Sequence, residues 1–500
     1  MTGIQYPIFI VITPLLAAFF AGLLGIFNRK LSFPIALLAM TISLGCALRT
    51  IFTVLKTGVI HYYIGGWIPP FGIEYTIDHL NALVLVVVSF SGFINVIYSK
   101  RSIEQDLPDK IPQFYTLYLL LLTGLLGITI TGDAFNLYVL LEISALTAYT
   151  LIALGSGRAL LASYNYLIMG TIGACFYLLG VGHLYIVTGS LNMADLHKIL
   201  PALSSNNSVL VAFILMLAGI WVKMAFFPAH GWLPNAYTYA PTASSSLLAP
   251  TMTKVSVYIM IRIMFSVFSP EFTFSNAIWQ DVIIWCAVIA IVGGSLQALA
   301  QRDFKRMLTY LIIAEVGYMV GGVWIGNELG ITGAILHILN DAMMMLCMFF
   351  VAGIINYKFK SHNFDSFQGL FRKMPLTMAI FVIGVLSMIG VPPTCGFFSK
   401  WYLILAAVEA GKWHFMIGLI FSSLINVILF FRIIEIAYYP SNAEGHGHGH
   451  GDDHTRISEA PISMLAPLVI VGICLILIGV YSGEIVSNVI QYAVPAGIGN

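Results

Sequence analysis

Glu142 stands in the middle of an apolar stretch, ITGDAFNLYVLLEISALTAYTLIAL over residues 130–154. Further along, Lys223, Lys254, His337 and Lys400 fall inside other apolar segments. A charged side chain at the bilayer centre costs about 3 kcal/mol or more, so such residues are rare and mark ion or proton paths. Here they recur from segment to segment with both signs present, and the chemistry they fit is proton transfer. Burial in hydrocarbon disfavours the charged form of a carboxyl or an amine, and a neighbour of opposite sign restores it. A lysine beside a carboxylate keeps its proton; when the carboxylate moves away, the lysine can release it. Glu142 with Lys223 reads as such a switch, and Lys254, His337 and Lys400 read as its continuation in the membrane plane. Histidine suits an intermediate station because its unperturbed pKa is about 6.5. The plainer alternative for each residue is a structural ion pair, or a helix-end side chain reaching for the interface.

His337, Asn340 and Asp341, in HILND, share roughly one helical face at spacings of three and four. A histidine–carboxylate pair in apolar surroundings makes a proton station or, on the plainer reading, a local hydrogen-bonded kink.

The elements that must hold these residues are membrane helices. The chain has 500 residues, 59% hydrophobic and only 9% charged, where a soluble protein carries about 25% charged residues. The expected fold is an all-α polytopic membrane protein. Apolar runs lie near 7–27, 32–55, 77–99, 113–131, 133–154, 161–188, 208–228, 243–268, 277–299, 306–325, 329–356, 375–405, 413–438 and 463–482, about fourteen spans of roughly 20 residues each. The first run reads as a retained helix rather than a signal peptide, because no small-residue cleavage site clearly follows it. The run 375–405 is too long for one straight span, and Gly390, Pro392, Pro393 and Gly396 interrupt it, so it is expected to be broken. Pro228 and HGWLPNAYTYAPT (230–242) predict a second break just after Lys223, in the seventh span. HYYIGGWIPPFGIEYTID (61–78) reads as a short extracytoplasmic hairpin.

Basic residues set the orientation. Arg29 and Lys30, then Lys100, Arg101 and Lys110, then Arg158, then Arg302, Lys305 and Arg306, then Lys358, Lys360, Arg372 and Lys373 fall in odd-numbered loops. Even-numbered loops carry almost none, with Lys198 and Lys412 the exceptions. Odd loops are therefore expected in the cytoplasm of a prokaryote and both termini outside, in the plasma (inner) membrane. Glu142 and Glu315, in spans five and ten, and Lys223 and Lys400, beside the two breaks, are offset by five spans. An odd offset reverses topology, so the pattern predicts two inverted five-helix repeats meeting at discontinuous helices, an architecture of ion-coupled transporters. The expected division is 1–110 (helices one to three with the hairpin), 111–270 (first repeat), 271–440 (second repeat), 441–462 (a cytoplasmic loop) and 463–500 (the last helix and tail).

Several function classes drop out. A net charge of +1 gives nucleic acid nothing to bind. Cys46, Cys175, Cys286, Cys347, Cys395 and Cys474 are scattered without a CxxC pair, so neither iron–sulfur clusters nor structural zinc are expected, and no cofactor on this chain. No nucleophile–base constellation points to a stand-alone hydrolase. The loop EGHGHGHGDDHTR (444–456) carries His446, His448, His450 and His454. Such a tract can hold Zn²⁺ or Ni²⁺ weakly, but a flexible polar loop with no specific ligand is the favoured reading, and no metal site is assigned.

Three stretches together resemble one family. KMAFFPAHGWLPNAYTYAPTASSSLLA (223–249) with Lys254 beyond it, RDFKRMLTYLIIAEVGY (302–318) and GVPPTCGFFSKW (390–401) resemble the antiporter-like subunits of respiratory complex I, Mrp-type multisubunit Na⁺/H⁺ antiporters and membrane-bound hydrogenases. The resemblance covers roughly residues 75–440. It implies two inverted five-helix units and roles by position: Glu142 and Lys223 as the fifth- and seventh-span pair, Lys254 as the eighth-span lysine, Lys400 as the terminal lysine leading outside or to the next subunit. Length near 500 and a lysine at position 400 favour the Mrp D-type subunit and its hydrogenase counterparts. The implied partners are other integral membrane subunits, H⁺ and Na⁺, and the lipid bilayer.

The chain also departs from that pattern. Where the family has His-x-x-x-His-x-x-x-Lys in span eleven, this chain has His337, Asp341 and Met345. Asn235 stands where Asp is frequent, and Glu315 where His or Gln is frequent. Glu315, Asn340 and His230 are accessory candidates, Glu315 either as an added station or as a contact for a partner subunit. Three functions stay open: a subunit of a Na⁺/H⁺ antiporter, a pumping module of a redox-driven complex with all redox chemistry in its partners, and a scaffold with vestigial charges.

Overall fold

The structure is a computed structural model describing residues 5–439, 459–495 and Ile498. The His-rich loop, with His446, His448, His450 and His454, lies outside the described residues.

Helices α1 (Tyr6–Phe27) and α2 (Ser32–Thr57) lead into a hairpin of β1 (Ile60–Tyr63) and β2 (Glu74–Ile77). The strands pair antiparallel, Ile60 opposite Ile77 and Tyr63 opposite Glu74. There follow α3 (His79–Asp106), α4 (Ile111–Ile130), α5 (Ala134–Ala153), α6 (Ala159–Thr188), α7 (Met193–Ile199), α8 (Asn207–Lys223), α9 (Leu233–Tyr239) and α10 (Thr242–Arg262). The chain continues through α11 (Pro270–Thr273), α12 (Ala277–Leu299), α13 (Phe304–Ile325), α14 (Glu328–Phe359), α15 (Leu370–Lys373), α16 (Pro375–Ile389), α17 (Cys395–Glu409) and α18 (Trp413–Tyr438). It closes with α19 (Ile462–Val480) and α20 (Ser482–Ile485).

Among the described residues, 12 helices are long and apolar enough to cross a membrane. Two shorter apolar helices, Asn207–Lys223 and Pro375–Ile389, sit where the sequence predicts breaks. Hydrocarbon offers backbone groups no water, so a helix that starts or stops must satisfy its own ends. Polar caps do this. Asp78 caps α3 and exchanges two hydrogen bonds with Asn81; Asp133, Asn276, Asp303 and Asn327 accept from the first turns of α5, α12, α13 and α14.

Two of these caps also fasten loops. Asp133 forms an isolated antiparallel bridge with Asn192, and Asp303 forms one with Asn363. The bridges lie at opposite ends of the molecule. At the hairpin end, Gly132 donates to the Glu74 carbonyl, and the Asp78 carboxylate at the start of α3 meets Arg262 at the end of α10, 2.5 Å apart. At the far end, Asp106 at the close of α3 meets Lys360 at 3.2 Å.

The sequence placed Lys100, Arg101, Lys305, Arg306 and Lys358 in loops, and the structure corrects this. Lys100 and Arg101 lie on α3, which runs on to Asp106, and Lys358 lies in the last turn of α14. Lys305 and Arg306 open α13, and Lys305 is only 1% exposed, its ammonium donating to the Ala240 carbonyl. A capped helix start carries its first-turn side chains inward where packing demands it, whatever their charge. Beside it, burial and the Lys305 ammonium push the His362 imidazole down to about 3, so it stays neutral.

Helix α14 is the axis, buried along its length and packed by α3, α10, α13, α16, α17 and α19. Close approach at the second break depends on glycine. A Cβ on Gly396 would lie 2.0 Å from the Ser387 carbonyl oxygen, and one on Gly479 would lie 2.0 Å from that of Pro393. Gly396→Ala is expected to destabilise the solubilised protein by about 1–3 kcal/mol. Gly182→Ala, where a Cβ meets nothing within 4 Å, should leave the unfolding midpoint unchanged or raised. Thermal scans in one detergent compare the two.

Candidate functional site

Lys223 is the last residue of α8, because the chain there turns out of the helix. Ala225 takes a positive φ of 57°. The carbonyls released by the turn are satisfied within the protein: Trp221 O accepts from Phe226 N, and Val222 O accepts from Ala225 N and the Trp232 indole. The Lys223 ammonium sits 3.5 Å from Glu142 Oε1, on the middle of α5, and 3.5 Å from the Tyr149 hydroxyl two turns further along α5. The Lys223 side chain is 4% exposed and that of Glu142 25%, so the pair leans toward the edge of the chain.

Lys254 is enclosed. From the centre of α10 its Nζ reaches Asp341 Oδ2 on α14 at 2.7 Å and donates to the Ala249 carbonyl at 2.9 Å. One turn back on α14, His337 Nε2 lies 2.6 Å from Glu315 Oε2 on α13, and its Nδ1 lies 2.9 Å from Ser399 Oγ on α17. Asn340 donates to Ser399 Oγ and to the Cys395 carbonyl. Lys254, Asp341, His337 and Glu315 form one buried line, alternating in formal sign, with His337 and Asp341 stacked four residues apart on one helix face.

Lys400 follows Ser399 and ends that line. Its Nζ donates at 2.7 Å to the Met388 carbonyl, freed where α16 stops, and at 3.4 Å to Ser423 Oγ. It also lies 5.2 Å from the centre of the Tyr318 ring. That ring meets the His337 imidazole edge-on at 5.4 Å, and its hydroxyl donates to Ser422. Tyr318 thus stands between His337 and Lys400.

The two groups, Glu142–Lys223 and Lys254 to Lys400, share no direct hydrogen bond among the described residues. Aromatic rings pack beside the first group: Tyr149 packs edge-on against Tyr166 at 4.6 Å, and Tyr166 stacks on Trp232 at 3.8 Å. The buried hydroxyls of Tyr166, Tyr237 and Thr253 find no partner among the described residues, and polar groups in that condition recruit buried water.

Of the residues singled out in the sequence, Glu142, Lys223, Lys254, His337, Asp341 and Lys400 all lie in these two groups, and Asn340 and Glu315 join the second. Glu315 pairs within this chain. His230 joins neither group: its ring stacks on Phe227 and its Nδ1 has no partner among the described residues. Tyr149, Tyr318 and Ser399 do not stand out in the sequence because they carry no charge. Helical spacing marks Tyr149, seven residues from Glu142, and Tyr318, three from Glu315, and Ser399 is marked only as the neighbour of Lys400.

The inner pair yields a sharp test. Removing one partner of a buried ion pair leaves an unpaired charge, at a cost of about 3–5 kcal/mol. Asp341→Leu is expected to lower thermal stability by that order, and Lys254→Met added to it should restore most of the loss. A double mutant no more stable than the single one would mean that the pair is not coupled.

Residues 131–426 match the family described as NADH:quinone oxidoreductase/Mrp antiporter, TM. The chain is 44% identical over 498 residues to NADH-quinone oxidoreductase subunit N of Desulforudis audaxviator, covering 98% of each protein. It is 29% identical over 442 residues to the D-type subunit of a Na(+)/H(+) antiporter from Bacillus subtilis, covering 87% of this chain and 88% of that one. A chain of the membrane-bound sulfane sulfur reductase, an archaeal respiratory membrane complex, matches with a TM-score of 0.88 at 30% identity, over 97% of this chain and 96% of the other. Chain length and Lys400 favoured the D type, but identity is higher to the N-type relative, so the matches do not single out the D type. By these matches and by its helical membrane architecture, the chain belongs to the family of antiporter-like membrane subunits shared by Mrp antiporters and NADH:quinone oxidoreductases.

Proposed function

We propose that this chain is a proton-translocating module of a larger membrane complex. Protons reach Lys223 or Lys254 from the cytoplasmic side, pass His337, and leave by Lys400. The observation that carries this reading is the buried line Lys254–Asp341–His337–Glu315, with gaps of 2.7 Å and 2.6 Å at its two ion pairs. Lys254 holds its proton while Asp341 faces it; displacement of α14 against α10 releases it toward His337. Glu142 and Lys223, at 3.5 Å, form a looser contact that a small movement opens, which suits a gate. Asp341 stands at the middle histidine of the family's span-eleven pattern and Glu315 where histidine or glutamine is frequent, so this line carries protons between acid–base pairs rather than between cations.

In this reading the chain crosses the membrane fourteen times, with both termini outside, and residues 111–270 and 271–440 form two inverted units. The Asp133–Asn192 and Asp303–Asn363 bridges at opposite ends, five spans apart, support that symmetry.

Two couplings are in play. Identity to an N-type subunit of NADH-quinone oxidoreductase and to a chain of a respiratory complex favours a redox-driven complex, with electron carriers in partner subunits. The relatives named as D-type antiporter subunits support exchange of H⁺ for Na⁺. Mild-detergent purification with mass spectrometry of the partners separates them, since co-purifying iron–sulfur or nickel subunits point to the first and small hydrophobic antiporter subunits alone to the second.

For the relay, Glu142→Ala or Lys223→Ala is expected to abolish proton movement in proteoliposomes, read with a pH-sensitive dye, while the complex still assembles. Full activity in either variant would sink the relay. His337→Ala should stop transport as completely as Lys254→Ala, because both interrupt one line; a scaffold with vestigial charges would tolerate all four.

A further inference from the structure

Helices α8 and α12 make no extensive contact with each other. The first lies on α6 and α10 and the second on α13 and α18. Between them runs a groove of about 320 Å³. Its walls include Leu210, Phe213, Ile214, Leu217 and Ile283, and Trp221 is the lining residue farthest along α8. From Asn207 to Trp221 it follows fourteen helical steps, about 21 Å at 1.5 Å per residue, more than half of a hydrocarbon core of about 30 Å. The flanking faces expose Val211, Ile278 and Val282, so the groove opens on the acyl region of the bilayer. A gap there is filled by hydrocarbon.

The rim is different. Ser204, Ser205, Asn206, Asn207, Ser275 and Asn276 supply hydroxyls and amides at the hairpin end. Trp324, in the last turn of α13, lines the groove, and its buried indole N–H finds no acceptor among the described residues. The rim continues through Ser204, Phe272 and Ser275 into a second hollow that contains His197 and Glu271. His197 Nδ1 faces the Phe268 carbonyl at 3.2 Å, so as a neutral ring it donates there and turns an accepting Nε2 elsewhere. Among the described residues, no lysine or arginine lines either part. The mouth therefore offers one carboxylate, one imidazole acceptor and many neutral donors, which complements a primary ammonium beside a phosphodiester and disfavours a head group of net negative charge.

We propose that this groove is a site for one phospholipid with an ethanolamine head group. One acyl chain lies along α8 and α12, an ester carbonyl accepts from the Trp324 indole, the Ser and Asn side chains donate to the phosphate, and the ammonium meets Glu271 and His197. The bound chain fills the seam beside the helix that ends at Lys223.

The test uses the intact complex, stripped of lipid and reconstituted in vesicles of phosphatidylethanolamine, phosphatidylcholine or phosphatidylglycerol. Tightly held lipid is then quantified by extraction and mass spectrometry. Wild type is expected to retain about one phosphatidylethanolamine per chain, and Ala218→Trp, which fills the groove, should reduce retention about tenfold or more. Ile289→Trp, on the exposed face of α12 outside the groove, should leave it unchanged. Glu271→Gln should still hold a lipid but no longer prefer ethanolamine over choline. Equal retention in wild type and Ala218→Trp, or no head-group preference in wild type, overturns the proposal. A photo-crosslinker at Ile214 guards against misfolded variants: it should capture lipid, and capture of a protein subunit would overturn the site.

Discussion

A charge inside hydrocarbon must find its complement inside the protein, because no water is there to supply it. The ion pair of Lys254 with Asp341 is where this protein meets that requirement most completely. Both residues are almost wholly buried, they come from two of the three most enclosed helices, and their contact fixes α10 against α14 at the centre of the molecule. The polar groups of the inner line are arranged around that contact. His337 shares a helix face with Asp341; Glu315 faces His337; Ser399 and Asn340 tie α14 to α17 and so bring Lys400 to the end of the line. A pair this deep adds little net stability. The proposed role as a switch accounts for its presence, since an equilibrium between paired and unpaired states can move a proton.

The broken helices serve the same line. A helix that stops inside a membrane frees carbonyls that need donors, and both breaks supply them. Trp232 and Phe226 answer the first. At the second, Lys400 and Asn426 both donate to the Met388 carbonyl. Lys400 is thus held by a neutral carbonyl and not by a carboxylate, which distinguishes it from Lys254. Lys305 follows a similar rule at the far end, where the Ala240 carbonyl holds it.

Two of the departures from the family pattern, Asp341 and Glu315, are each compensated in the structure. Asp341 in place of a neutral or cationic station would be an isolated buried anion, and Glu315 likewise. Each stands opposite a base, Asp341 to Lys254 and Glu315 to His337, so the substitutions change the line from a row of bases to a row of pairs without leaving an uncompensated charge. Each change adds a buried carboxylate, and each carboxylate finds its own base.

The sequence by itself determined what depends on neighbours along the chain. Hydropathy over twenty residues marked the membrane helices, prolines and glycines after Lys223 and at 390–396 marked the breaks, and charges in apolar runs named most of the residues in the line. These signals are local, because helix formation, helix interruption and partition into hydrocarbon are decided over a few turns. Tertiary structure alone decided who faces whom. Glu142 and Lys223 are 81 positions apart, and nothing in either segment says that they touch, or that Asp341 belongs to Lys254 while Glu315 belongs to His337. It also decided that Lys305, placed in a loop by its charge, is buried, that His230 stands apart, and that neutral Tyr318 and Ser399 lie against His337. Partner choice follows from helix rotation and packing, and those are set by contacts between segments that composition and spacing leave unspecified.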